Sequence, residues 1–373
     1  MSRSVFGSID YVREGAYRVR WEAGFDPVTG KRRRKSKTVY GTRKDAERFL
    51  AARALDSGKG PANALAEMTL DQYWEADYSR EVAKLAPGTV NDYAHTWQTY
   101  LRPILGDEPI GAITARTARQ RLLSLAAPGA QNKAHKLLRQ MLNVAAADGI
   151  IDVNPLPRTM RLDKITHRVT ATYLMDEIPA VLEALRGTDI EPMVLCSLMG
   201  GLRREEACAL RWGDLAFNEV DTLQGKYMAC YVKVMRTAQL IAGEVVVGPT
   251  KTERSTRTVV IGGVVAERLS QLSAGFQPTQ WMNPSKKEPG ACGNPQTVAS
   301  RWRTVCANAG LRHVPFTGLR ATYSTMQQEL GTPDTLVSMM MGHTQLGTRY
   351  KHYLSANLPA MEQAAAVLGR AVS

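Results

Sequence analysis

Strict alternation marks the start of the chain, where Tyr17, Val19 and Trp21 interleave with Arg18, Arg20 and Glu22. That is the period-two pattern of a strand with one packed face and one solvated face. The turn-forming run Asp26-Pro27-Val28-Thr29-Gly30 follows, and a further strand then carries Lys31, Arg32, Arg33, Arg34, Lys35 and Lys37. Thr42 is placed to cap a helix reaching about Leu55, which Ser57-Gly58-Lys59-Gly60-Pro61 breaks as a linker. From residue 66 to 162 the spacing turns helical. Thr69-Leu70-Asp71-Gln72 has the form of a capping box, and Tyr93, Trp97 and Leu101 recur at i, i+4 and i+8 behind Thr89. Thr114 precedes a helix with Leu122, Leu123 and Leu125. A fourth helix carries Leu137, Leu138, Met141, Leu142 and Val144, ends near Asp148-Gly149 and is closed by Asn154-Pro155. Stripes at this spacing predict core rather than chemistry. Pro155, Pro157 and the polar run 161–168 predict a second linker. Beyond Thr170 the periods mix, with helices over 181–185 and 193–198, strands over 227–234, 245–247 and 258–261, and helices again toward the end.

The expectation is a multidomain chain. Residues 1–60 form a small α+β domain, a three-stranded sheet plus a helix; 66–162 an all-α domain of four helices; and 170–373 a mixed α+β domain. A length of 373 residues suits two or three cores. No apolar run approaches the ~20 residues that cross a bilayer, and the opening MSRSVFGSIDYVREG lacks the apolar core of a signal peptide, so a soluble, cytoplasmic protein without membrane contact is expected. The five cysteines contain no C-x-x-C pair, which predicts buried reduced thiols instead of disulfides or a zinc site. The net charge of +13 points to a polyanionic partner, and its distribution sharpens this. Residues 1–60 hold 15 Lys and Arg against 7 Asp and Glu, a net +8. Arg18, Arg20, Lys31 to Lys35 and Lys37 are therefore the polyanion-contact candidates of this segment, charge alone not separating DNA from RNA or acidic lipid, and they lie on strands of the kind that can enter the major groove of DNA.

Four short motifs remain in the last domain. Gly200-Gly201-Leu202-Arg203-Arg204-Glu205-Glu206 opens a helix on arginines; Thr250-Lys251-Thr252 sits in a turn between strands; Thr317-Gly318-Leu319-Arg320-Ala321-Thr322 follows; and Met341-Gly342-His343 precedes Tyr350 and Tyr353 by seven and ten residues. Each is weak alone. In this order, G-L-R-x-x-E, T-K-T in a hairpin, L-R-x-T, G-H and a late tyrosine, they resemble the tyrosine recombinase or phage integrase family over roughly 195–360. The helical unit is similar to that family's SAM-like core-binding domain. The basic opening with Asp26-Pro27-Val28-Thr29-Gly30-Lys31 is similar to an arm-binding domain.

The resemblance implies a site-specific recombinase or integrase of a phage or mobile element that cuts and rejoins double-stranded DNA through a 3′-phosphotyrosine. Arg203 and Arg320 would hold the non-bridging phosphate oxygens with bidentate forks. Lys251 would protonate the leaving 5′-oxygen from a hairpin tip, and His343 would hydrogen-bond the phosphate or assist proton transfer. Glu206 is read as supporting the site from beneath. Bond energy kept in the covalent intermediate implies no cofactor and no metal. The nucleophile is open between Tyr353, favoured by ungapped spacing, and Tyr350, which has an Arg-Tyr-x-His setting. Thr317 departs from the histidine or lysine usual three before the second arginine; it hydrogen-bonds but is no acid or base near neutrality. His313, four residues earlier, is the candidate substitute, against which the change of direction at Pro315 argues.

Leu358, Met361, Ala365 and Leu368 share a face of a terminal helix, which the resemblance docks on a neighbouring protomer and the plain reading packs on its own core. Implied partners are arm and crossover DNA sites, a homo-tetramer on DNA, a host DNA-bending protein and an excision factor. The competing readings are a chromosome-dimer resolving recombinase, against which residues 1–60 argue, and a non-catalytic DNA-binding regulator, motivated by Thr317.

Overall fold

The computed structural model describes residues 7–25, 32–57, 66–166, 169–223, 225–250, 256–342 and 358–373, the side chains of 22–25, 32–34 and 53–57 excepted. The chain divides into two compact units, Met1–Thr166 and His167–Ser373, with the division inside the polar run 161–168. The first unit holds two separate hydrophobic clusters. The interval 58–65 between them, where the first linker is expected, lies outside the described residues.

The smaller cluster belongs to an antiparallel sheet of β1 (Gly7–Arg13), β2 (Ala16–Phe25) and β3 (Arg32–Tyr40) in the order β1-β2-β3. Helix α1 (Arg43–Ser57) covers one face. Its Ala46, Phe49 and Leu50 meet Val19, Tyr17 and Trp21, the alternating residues read as the packed face, together with Ile9 and Val39. The register sorts the basic residues. Arg18 lies opposite Asp10 and Thr38, and Arg20 opposite Ser8 and Ser36, so these occupy the face away from α1. Lys37 lies opposite buried Val19, and Lys35 opposite Trp21. Both are exposed yet lie on the helix side, where the Lys37 ammonium stands 5.3 Å from the centre of the Phe49 ring.

The larger cluster is a four-helix body of α2 (70–83), α3 (87–105), α4 (Ala115–Leu123) and α5 (Pro128–Ala147). The Thr69 capping box is formed, the Thr69 hydroxyl accepting from the Gln72 amide. Thr114 caps α4 in the same way. Both α2 and α3 widen to a π turn, at Trp74–Tyr78 and Trp97–Leu101. A wide turn shifts the phase of the helix. Here it accompanies Trp74 and Trp97 stacked at 4.8 Å with planes 7° apart, a contact worth ~0.5–1.5 kcal/mol beyond its buried area.

The second unit begins with α6 (Ile178–Leu185) and α7 (Glu191–Gly200), every residue of α7 being buried. Its one acid, Glu191, accepts two hydrogen bonds from Arg268 at 2.6 and 3.0 Å. After the single turn α8 (Arg204–Ala207) come β4 (Leu215–Thr222), β5 (Gly225–Val234), β6 (Arg236–Ile241), β7 (Glu244–Pro249) and β8 (Arg257–Gly262). The helices α9 (Val264–Ser273), α10 (Pro295–Asn308), α11 (Phe316–Glu329), α12 (Asp334–Met341) and α13 (Leu358–Ala371) complete it.

Strands β4-β5-β8 form one antiparallel sheet and β6-β7 a separate pair. The expected strands 227–234, 245–247 and 258–261 fall within β5, β7 and β8; β4 and β6, whose burial is mixed, carry weaker patterns. The connection bearing Lys251 is therefore no hairpin. It crosses from the β6-β7 pair to the edge of the other sheet, because β7 pairs with β6 and β8 with β5.

The terminal helix α13 packs on its own chain, with Met361, Ala364, Ala365 and Leu368 in the core of this unit. Backbones approach closely at Gly262 and Gly369, where an added Cβ would meet the Ala365 and Gly262 carbonyls at 2.6 and 2.7 Å. Tyr227 also donates to the Glu362 carbonyl at 2.6 Å.

All five cysteines are buried and free, and burial pushes the Cys196 thiol up to about 12 and the Cys292 thiol to about 11. Among the described residues no helix is long and apolar enough to cross a membrane.

Candidate active site

Buried helix α7 stops at Gly201, whose φ of 65° is left-handed and whose Cβ position is filled by the Tyr323 ring at 2.6 Å. A side chain there would be both strained and obstructed. The turn delivers Arg203 to the N-cap of α8, half-exposed, with its own anchor three residues on. One Glu206 oxygen accepts from the Arg203 amide at 2.8 Å and the other from the Arg203 guanidinium at 2.8 Å. The helix is too short for packing to orient the arginine, so the carboxylate does it.

Glu206 is itself held by a residue the motif reading did not name. Arg257, the first residue of β8, grips it bidentately at 3.1 and 2.9 Å, both side chains being 2% exposed. The third Arg257 donor, Nε, reaches the Met340 carbonyl at 2.8 Å. Burial alone would raise the Glu206 carboxyl. The Arg257 hydrogen bonds and charge, with the Arg203 bonds, outweigh it and hold the group below its usual value.

Arg320 enters from α11 and donates to the Gly201 carbonyl and, at 2.7 Å, to the Met341 carbonyl. It thereby pins two of the motif segments, the glycine pair before Arg203 and the end of α12 before Gly342. Burial, then the charges of Arg203 and Arg257, push its guanidinium down to about 9. Like charge held this close is relieved by an anion, and phosphate has the geometry to accept two forks.

Arg203 and Arg320 share a cleft of about 530 Å³ with Arg204, Arg303, His313 and Thr317. Of these, Arg204 is partnered by its neighbour Glu205 at 2.7 Å. Thr317 sits beside Arg320 on the first turn of α11 and is exposed. His313 lines the same wall, so the turn at Pro315 does not carry it away from the arginines. Arg211 is no part of this cleft; its guanidinium stacks 4.3 Å above the Trp281 ring.

Lys251, His343, Tyr350 and Tyr353 lie outside the described residues. The ends of their segments are described. The feet of the Lys251 connection, Thr250 and Thr256, bring their hydroxyls to 3.0 Å of each other, next to Arg257. Residue 342, the last before His343, follows the Met341 carbonyl that Arg320 holds. Two residues escaped the sequence reading, Arg257 and Arg303, whereas His313 was named there as the candidate substitute for a histidine at 317. The one available signal for Arg257 was a charge two residues ahead of the apolar run Val259-Val260-Ile261.

Residues 174–358 match the model of the phage integrase family. Among curated proteins, the integrase of Mycobacterium phage D29 is 26% identical over 255 residues, covering 63% of this chain and 62% of that protein. The chain thus spans about three fifths of that relative's length. Among solved structures, the integrase of transposon Tn1549 in complex with a circular intermediate DNA overlays with a TM-score of 0.61 at 14% identity, over 74% of this chain and 92% of that one. A lambda integrase tetramer bound to a Holliday junction overlays with a TM-score of 0.53 at 18% identity, over 94% and 96%. At such identities the two overlays establish a common fold.

Proposed function

We propose, from the premise that this chain belongs to the phage integrase family of tyrosine recombinases, that it is the site-specific integrase of a phage or mobile element. The observation that carries the reading is the convergence of Arg203 and Arg320 on one cleft, each oriented by fixed acceptors. Preorganised forks of this kind bind a phosphodiester and stabilise the charge of its pentacoordinate state, and removing one such donor costs ~3–4 kcal/mol in the barrier. Glu206 and Arg257 position Arg203 from below and touch no substrate.

In this reading a tyrosine, Tyr353 or Tyr350, attacks the phosphorus and becomes joined to the 3′-phosphate as the 5′-oxygen leaves with a proton from Lys251. A 5′-hydroxyl of the partner duplex reverses the step. The bond energy stays in the phosphotyrosine, so the reaction draws on neither nucleotide nor metal. His343 hydrogen-bonds the phosphate. The three-domain division assigns 1–60 to arm sites, 66–162 and 170–373 to the crossover site. The open sheet face with Arg18 and Arg20 is the surface suited to a groove, with Lys31, Arg32, Arg33, Arg34, Lys35 and Lys37 adding phosphate contacts. Assembly as a homo-tetramer, helped by a DNA-bending host protein and an excision factor, belongs to the same reading, as does action in the cytoplasm.

The test is a nicked suicide substrate carrying the cognate crossover site, resolved under denaturing conditions. A covalent adduct is expected from the unaltered protein and from Tyr350→Phe, and none from Tyr353→Phe. An adduct surviving in Tyr353→Phe moves the nucleophile to Tyr350. No adduct from the unaltered protein leaves the DNA-binding regulator as the function.

A further inference from the structure

We propose that His313 takes the proton-handling place that Thr317 cannot fill, accepting the tyrosine proton at the scissile phosphate; this rests on the DNA-cleavage reading above.

The backbone on both sides of His313 is clamped from the core. The Tyr173 hydroxyl donates to the Arg312 carbonyl at 2.7 Å, and the Trp302 indole N–H donates to the Val314 carbonyl at 2.8 Å. Both aromatic side chains are fully buried, so these bonds fix the loop against a rigid wall. Arg312 is secured further, its guanidinium reaching Glu177 and the Thr172 carbonyl, each at 2.7 Å, and lying 5.4 Å from the Tyr173 ring centre. Val314 is buried in the core. Arg312 and Val314 turn to the Tyr173 and Trp302 side, and His313 is left facing the cleft that Arg203, Thr317 and Arg320 also line.

The groups that face it across that cleft are Arg203, Arg204 and Glu205 from the start of α8, Arg303 from α10, and Arg320 from α11. Behind it the charge of Arg312 is matched by Glu177. Among the described cleft residues, the imidazole is the side chain whose type exchanges a proton between pH 5 and 8. The arginines neutralise charge but hold their protons, and Thr317 is neither acid nor base there. A neutral ring nitrogen of His313 therefore accepts the phenolic proton as the tyrosine oxygen bonds to phosphorus. The O5′–P bond breaks with its electron pair on the 5′-oxygen, which takes a proton from Lys251. Both protons return when a 5′-hydroxyl reverses the step.

The experiment is single-turnover cleavage of the suicide substrate by the full chain, comparing the unaltered protein with His313→Gln, Thr317→His and the double variant. Folding is checked by circular dichroism and DNA affinity by gel shift. General acid–base contributions are typically ~10²–10⁴-fold, and a loss of about 10²-fold is expected for His313→Gln at unchanged DNA affinity. The pH profile of the rate should change with it, as it would not for a purely structural residue. Placing histidine at the vacant position, in the double variant, should restore the rate. Cleavage by His313→Gln at the parental rate and with the parental pH profile overturns the proposal. So does a loss that tracks DNA affinity and is not rescued by Thr317→His, which marks a structural residue. Failure of the unaltered protein to form any adduct removes the cleavage reading itself, and is seen in a separate lane from either result.

Discussion

Glu206→Gln keeps the shape of the side chain and an oxygen for the Arg203 amide, but removes the negative charge that Arg203 and Arg257 share. Arg203 is half-exposed and water can compensate it; Arg257 is 2% exposed and cannot be compensated that way. Removing one partner of a buried pair leaves an uncompensated charge, at a cost of ~3–5 kcal/mol. For a domain of 150–250 residues, 1 kcal/mol corresponds to roughly 2–4 °C in the melting temperature. The His167–Ser373 unit should accordingly melt ~6–20 °C lower, followed by circular dichroism in parallel with adduct formation. Because the folded carboxyl lies below its usual value, its contribution is complete above the unfolded value and disappears as pH falls through the folded one. The gap between variant and parent should therefore narrow below about pH 4. Combining Glu206→Met with Arg257→Met replaces the pair by apolar groups of similar reach, which should recover most of the stability while cleavage stays impaired, since Arg203 has lost its anchor. A melting shift within about 2 °C for Glu206→Gln, less than 1 kcal/mol predicts at the upper end of that scale, would refute the account of Arg257 as a buried charge neutralised by Glu206.

Arg203→Lys keeps the charge and loses the fork, and should slow adduct formation ~10²–10³-fold with little change in melting. Arg320→Lys should slow it similarly and also lower the melting temperature, since two carbonyls lose their donor. Gly262→Ala drives a methyl group onto the Ala365 carbonyl at 2.6 Å and should cost ~1–3 kcal/mol, read as faster proteolysis ahead of α13 and a lower melting temperature. Burial above all, with the Arg139 charge, holds His135 in α5 below its ordinary value against the bond to the Pro157 carbonyl. The unfolded chain then takes up that proton first, so stability should fall as pH drops below about 6.5, and His135→Gln should flatten this slope in melts from about pH 8 to about pH 5. Arg18→Ala and Arg20→Ala should each reduce the salt slope of arm-site binding by about 1, measured by fluorescence anisotropy, whereas Lys37→Ala should change it less, its ammonium lying over Phe49 on the helix side.

Much of this architecture was legible before any coordinates. Period two at Tyr17, Val19 and Trp21 and the helical stripes through Trp97, Leu101 and Leu137 report which side of a local element leaves water, and each of these faces is buried against its own neighbours. Arg203 and Arg320 were singled out by the order of the short motifs and the family resemblance that order carries, each motif being weak alone. Local pattern ends where partners are distant in sequence. Arg257 is 51 residues from Glu206 and 83 from Met340, and only the folded chain made it the counter-charge beneath Arg203. The same holds for the crossing of the Lys251 connection between two sheets, for the π turns that bring Trp74 onto Trp97, and for His313, whose direction depends on two buried aromatic donors. The amino-acid sequence determined the elements and their buried faces, since these follow from propensity and period, and the order of its motifs carried the resemblance that singled out the two arginines. Tertiary structure decided how the arginines are held and what else faces them, since a buried charge is defined by its partners rather than by its neighbours in the chain.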